Sequence, residues 1–316
     1  MAAKKIRTIL VGVAAPDERM QPAVDRAATL AAALHAKLIL FHSAFESYSS
    51  GQPFFDSARL AKSRGELVAA RHARLTRLCA QLAKRGVEAR AAVVWEEPVF
   101  AAIIRAAARD DADLIVVGAH QPRANRTPVL KQNDWELMRH CARPLLIVRT
   151  GAKAAGPVVA AVDPTHRNDK PAALDTELAK VAATIAAGLN TECHIAHCVP
   201  DGAFPLGPIT VKERQRMKRE LRARIVAVLD KAAVDAAEIH LVDGLAERAL
   251  PALVTELGAS TLVLGALSRR WLTGFVVGNT AERIVHETTC DLLIVKPPGF
   301  KTRTLRARKE PIELPA

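Results

Sequence analysis

The sequence predicts an α/β protein made of two tandem doubly wound three-layer sandwiches, each a five-stranded parallel sheet with helices on both faces. Three observations carry that prediction. The chain has 316 residues, more than a single hydrophobic core usually serves, so two domains of about 150 residues each are expected. Short apolar runs alternate with longer amphipathic stretches, the order that gives parallel strands joined by crossover helices. The pattern also recurs. Ala112-Asp113-Leu114-Ile115-Val116-Val117-Gly118-Ala119 reads like Ser260-Thr261-Leu262-Val263-Leu264-Gly265-Ala266, and Pro144 to Arg149 reads like Asp291 to Lys296. Both pairs keep one offset of 147 positions, from Gly118 to Gly265 and from Arg149 to Lys296.

In the first copy, strands are expected near 6–13, 38–43, 87–94, 113–118 and 145–149, with helices near 20–35, 62–85, 97–110 and 133–141. In the second, strands fall near 157–162, 191–199, 236–242, 261–265 and 291–295, with helices near 170–188, 210–233, 245–257 and 280–288. The strands are short and β-branched, whereas the helices show apolar residues at intervals of three and four. The expected domains are 1–150 and 157–298, joined by the short linker 150–156, whose length favours docking of the two copies on each other. Two copies docked in this way would make an intramolecular pseudo-dimer. Pro297, Pro298 and Gly299 interrupt the last strand, and 299–316 reads as an extended basic tail.

Composition excludes several classes. Half of the residues are hydrophobic and a quarter charged, which is ordinary for packed domains and unlike disorder. The apolar runs are too short to span a bilayer, and the N-terminus lacks a leader pattern. Five cysteines without Cys-x-x-Cys spacing suit reduced, buried thiols and a cytoplasmic location. The net charge of +12 is spread over both copies with few aromatics among it, so no specific nucleic-acid partner is expected. Its densest internal stretch, Lys212 to Arg224, carries Met217, Leu221, Ile225 and Val228 on one helical face, which leaves the charges on a solvated one.

Ligands of open parallel sheets bind beyond the carboxyl ends of the strands, where connections diverge. That rule selects, in the second copy, the loop after Val162 that opens with Asp163, the Asp243-Gly244 turn, and the loop from Gly265. The last runs Gly265-Ala266-Leu267-Ser268, nine further residues, then Gly278-Asn279-Thr280 at the head of a helix. Glycines there admit a close backbone approach, and the helix start offers N–H groups to an anion. Asn279 or Thr280 can cap the helix or bond a phosphate oxygen. Asp163 is placed to accept from a ribose or an adenine amine.

The order of elements, the Val162-Asp163 strand end, the Asp243-Gly244-Leu245-Ala246-Glu247 turn and the Leu262 to Lys296 segment together resemble the universal stress protein family over nearly the whole chain. The resemblance implies a site for ATP or another adenine nucleotide in the second copy. ATP-binding members carry Gly, two residues, Gly, nine residues, then Gly and Ser or Thr. Gly265 and Gly278 match this pattern, Ser268 replaces its second glycine, and Asn279 replaces its hydroxyl residue. Asp163 matches the family's adenine-contacting acid. In the first copy Gly118 is kept, but Gln121, Lys131, Gln132 and Asn133 stand at the remaining positions and Ala14 stands for the aspartate. That copy reads as degenerate, with His120, Asp134 and Trp135 filling its cleft or facing a partner.

Other clusters have plainer readings. In Cys193-His194-Ile195-Ala196-His197-Cys198, same-face residues four apart on a strand lie about 13 Å from each other, so the segment alone is not expected to bind a metal. His42 looks like the first copy's repeat of His197, which argues for packing. Glu96 and Glu97 read as charges favouring the start of a helix. No hydrolase elbow, P-loop or dinucleotide fingerprint is present. The expected protein is therefore not an enzyme. It is a stress-response protein whose ligand changes its contacts, with a scaffold of two degenerate clefts and a slow ATP hydrolase as alternatives; its protein partner is not legible.

Overall fold

A computed structural model describes residues 5–18, 21–45, 57–119, 132–149, 152, 155–165, 171–199, 210–265, 279–302 and 312–313; at 57–60, 279–282 and 312–313 only the backbone is described. The first half runs β1 (Thr8–Gly12), α1 (Pro22–Leu34), β2 (Lys37–Ser43), α2 (Ser57–Ala83), β3 (Ala89–Trp95), α3 (Val99–Arg109), β4 (Leu114–Gly118), α4 (Gln132–His140) and β5 (Leu145–Val148). The second repeats it as β6 (Val158–Ala161), α5 (Ala172–Gly188), β7 (Cys193–Val199), α6 (Val211–Ala232), β8 (Glu238–Asp243), α7 (Ala246–Leu257), β9 (Thr261–Gly265), α8 (Asn279–Glu287) and β10 (Asp291–Val295), followed by β11 (Ile312–Glu313). The expected fold class is the observed one.

Local chemistry explains many boundaries. Proline opens α1 at its first turn, where a missing N–H costs nothing. Thr210 and Glu213 form a reciprocal capping box at the start of α6, and Gly258, with φ of 59°, closes α7 in the left-handed conformation. The buried face of α6 differs slightly from expectation. It runs Leu221, Ile225, Leu229, and Val228 sits half-buried at its border, because the true helical repeat exceeds 3.5 residues.

The strand order is β11-β3-β2-β1-β4-β5-β10-β9-β6-β7-β8. Each half is parallel internally. The halves join where β5 and β10 run antiparallel, with Leu292 opposite Ile147, Leu293 opposite Leu146 and Ile294 opposite Leu145. The expected pseudo-dimer pairing is thus made within one chain. An unanticipated feature is β11, part of the basic tail, which pairs antiparallel with β3 through Ile312 opposite Trp95. This pairing covers the edge of the first half.

Alternation along the strands sends side chains into two apolar layers. Ile9, Val11, Leu114 and Val116 pack with α1, α2, α5 and α6 on one face, while Leu10, Ile115 and Val117 pack with α3, α4, α7 and α8 on the other. Both layers contain residues of both halves. Helices α1 and α5 close on each other because residue 188 is glycine; a Cβ there would lie 3.1 Å from the Leu30 side chain.

Polar groups are also buried at the seam. Asp291, fully buried, accepts the Arg149 backbone N–H at 2.8 Å and an ion pair from Arg26 Nε at 2.8 Å. The Arg149 guanidinium, itself buried, donates to the Val285 carbonyl.

Candidate functional site

The chain passes from β6 through α5 to β7 on one side and returns to β9 on the other, so β6 and β9 flank the point where connections diverge. They are parallel neighbours, with Val158 opposite Thr261 and Ala160 opposite Val263. Their carboxyl ends therefore bring Val162, Asp163 and Gly265 to one rim of the sheet. This is the topological position at which open α/β sheets take ligands.

Hydrogen bonds position this rim closely. Val162 N–H donates to Ala196 O at 2.9 Å, and His197 Nδ1 meets Val162 O at 2.9 Å. The next N–H, that of Asp163, donates to the buried Asp175 Oδ1 at 3.0 Å. Asp163 Oδ1 then accepts from Thr165 N–H at 3.2 Å and from its hydroxyl at 2.5 Å. Oδ2 receives no hydrogen bond from the described residues, so one carboxylate oxygen remains for a ligand donor. Gly265 ends β9 half-buried, and a side chain there would press on the leucines of α5. A Cβ would sit 2.9 Å from Leu174 Cδ2 and 3.4 Å from Leu178 Cδ1. The expected glycine at this strand end thus has a packing reason.

Ser268 and Gly278 lie outside the described residues. Asn279 and Thr280 begin α8, which agrees with the expected helix start; their side chains fall outside the description. Of the seven residues singled out, the structure brings Val162, Asp163 and Gly265 together. Asp175 was missed, since a lone acid early in an amphipathic helix carries no signal. The Asp243-Gly244 turn does not join the rim chemistry, because Lys218 Nζ at 2.8 Å and Arg214 at 3.2 Å hold the Asp243 carboxylate.

The first half repeats the scaffold without the acid. Val13 N–H donates to Phe41 O at 2.8 Å, and His42 Nδ1 meets Val13 O at 2.7 Å. The His42 and His197 pair is therefore structural, and Ala14 occupies the position of Asp163. Trp135 faces the other half of the chain, with its ring 5.7 Å from that of His286. His120, Gln121 and Lys131 lie outside the described residues. Glu96 corrects the sequence reading: it is buried and paired with Arg105 in the body of α3, and the first turn of α3 holds no acid. A nearby arginine offsets desolvation better there than a helix dipole does.

All five cysteines are free. Burial pushes Cys193 and Cys198 up to about 11 and Cys290 to about 12, so these thiols stay protonated and make poor nucleophiles. Among the described residues no helix is long and apolar enough to cross a membrane.

A duplicated doubly wound sheet, each half parallel and joined to the other through one antiparallel ladder, defines a tandem α/β protein. A model of the universal stress protein family matches residues 5–149 and again 157–296. The chain belongs to the universal stress protein family, whose members serve the stress response. Universal stress protein E of Salmonella typhi is 28% identical over 304 residues, covering 91% of this chain and 93% of that protein. Two solved structures share the fold. The functionally unknown protein PA1789 from Pseudomonas aeruginosa PAO1 superposes with a TM-score of 0.70 at 22% identity, over 92% of this chain and 93% of that one. A universal stress protein from Archaeoglobus fulgidus DSM 4304 gives 0.60 at 12% identity, over 92% and 98%.

Proposed function

We propose that the second half binds ATP or another adenine nucleotide at the β6–β9 rim, and that occupancy changes the protein's contacts without turnover. The observation carrying this reading is the juxtaposition of Asp163, with an oxygen left over from its internal hydrogen bonds, and the side-chain-free end of β9 at Gly265, on adjacent strands at the switch point. Asp163 accepts from the adenine amine or ribose; the Gly265 strand end and the start of α8 serve the phosphates. Such a site acts by population shift, because ligand stabilises only the conformations that bind it. The protonated thiols agree with a non-catalytic role.

Calorimetric titration of ATP into the purified, ligand-stripped protein tests the reading. Wild type is expected to bind one equivalent, and Asp163→Ala to bind at least tenfold more weakly, in keeping with the loss of a hydrogen bond to a charged acceptor. Equal affinity in the two proteins would refute the assignment of the site. No heat, and no small molecule released on denaturation, would favour the scaffold, for which the altered positions Ser268 and Asn279 speak. Steady phosphate release abolished by Asp163→Ala would instead indicate a hydrolase.

A further inference from the structure

At the amino ends of β7 and β8, opposite the nucleotide rim, three side chains converge from residues far apart in sequence. The parallel register sets His194 opposite Glu238 and Ala196 opposite His240, so His194, Glu238 and His240 share the sheet face covered by α7. His194 Nδ1 lies 2.9 Å from His240 Nε2, the rings are within 8° of parallel, and His240 Nε2 lies 3.8 Å from Glu238 Oε2. One ligand atom from each residue falls within 4.8 Å of the other two.

A cation with bonds of about 2.0–2.1 Å to its ligands needs ligand atoms about 3.3 Å apart in a tetrahedral site. Two of the separations, 2.9 and 3.8 Å, lie on either side of that value, and the third is within 4.8 Å, so the side chains must shift to close on a cation. We infer that His194 Nδ1, His240 Nε2 and the Glu238 carboxylate form a site for a divalent late first-row transition cation of the zinc class, with solvent completing the coordination.

A second observation points the same way. His194 Nε2 lies 3.1 Å from Glu192 Oε2. In the tautomer whose Nε2 proton goes to that carboxylate, the Nδ1 lone pair faces His240. A carboxylate behind a histidine, holding its ring and tautomer, is the usual outer support of an imidazole metal ligand. In that tautomer, without a cation, the Nδ1 lone pair accepts the His240 Nε2 proton; on cation binding that proton moves to His240 Nδ1 and frees Nε2 as a ligand. Two imidazoles and a carboxylate suit zinc better than magnesium or calcium, which prefer all-oxygen sites. The segment Cys193 to Cys198 could not form such a site by itself; the ligands it lacked come from β8, and Cys193 and Cys198 take no part.

The site is independent of nucleotide binding, and its test needs no nucleotide. Zinc is titrated into chelator-treated full-length protein in competition with a chromophoric chelator. Wild type is expected to take up one equivalent with micromolar or tighter affinity. His240→Gln and Glu238→Gln are each expected to weaken it at least tenfold, and Glu192→Gln about tenfold. The Glu238 and Glu192 side chains are 60% and 72% exposed, so their variants keep the fold even where a histidine variant does not; matching far-UV dichroism verifies this. Failure of wild type to bind, or unchanged binding in Glu238→Gln and Glu192→Gln, overturns the inference.

Discussion

Asp291→Ala is expected to destabilise the fold by about 3–5 kcal/mol, because removing one partner of a buried ion pair leaves the remaining buried charge less compensated. Asp291 is fully buried and serves two elements of the first half. It binds Arg26 of α1 through Nε at 2.8 Å, where the arginine side chain is only 9% exposed, and the backbone N–H of Arg149 at 2.8 Å. Desolvation raises the carboxyl of Asp291 and lowers the guanidinium of Arg149 from their ordinary values. For an acid raised in the folded state, the neutral form is the better tolerated one, so this group's contribution to stability falls as pH rises from its unfolded value through its folded one. The pair is therefore costly to keep, yet costlier to break. Asp291→Asn, which retains an acceptor for the Arg149 N–H, should lose less than alanine does. Urea unfolding at neutral pH reads both effects, and an alanine variant with the wild-type midpoint would disprove the role given to Asp291.

The opposite sign is expected at Lys296. This residue follows β10 as Arg149 follows β5, and it is also buried, but the repeat places Pro144 where an acid equivalent to Asp291 would stand. Burial lowers Lys296 from 10.5 to about 8, and the Cys141 thiol opposes this only in part. The Phe300 ring, 5.0 Å from Nζ, gives a further weak attraction. Below about pH 8 the folded chain holds a charge that its surroundings penalise. Lys296→Met should therefore raise stability at pH 7 by about 1–3 kcal/mol. Because the unfolded lysine stays protonated to about pH 10, wild-type stability relative to the variant should climb between about pH 8 and 10, and the advantage of methionine should shrink. Paired denaturation curves at pH 7 and pH 10 measure this. A methionine variant less stable than wild type at pH 7 would reverse the assignment.

Both effects arise at the seam, which was only partly readable in the chain. The repeated Leu-Leu-Ile-Val strands and their common offset revealed the duplication, and the short linker argued for docking. The apolar strands β1, β4, β5, β9 and β10 were legible because both of their faces are buried, leaving uninterrupted runs. Arg26, Arg149 and Asp291 were not, because a buried charge looks like a surface charge until its neighbours are known. The strand-end positions of Asp163 and Gly265 were legible because the β6 and β9 runs stop there. Asp175 was not, since its role depends on which way one turn of α5 faces. His194 stands in a histidine- and cysteine-rich strand whose own residues it does not meet; the side chain it meets comes from β8, forty-six residues on. Register between parallel strands is set by the packed sheet, not by local spacing. Likewise, two residues of the tail complete an edge that no periodicity announced.

The two apolar layers each draw on both copies, and a single ladder carries β5 into β10. Neither copy therefore owns a separate reserve of stability. Opening one exposes the flank of the other, so loosening at either end is transmitted as lost protection to its twin. A molecule lodged at the β6–β9 rim would accordingly hold the first copy closed as well.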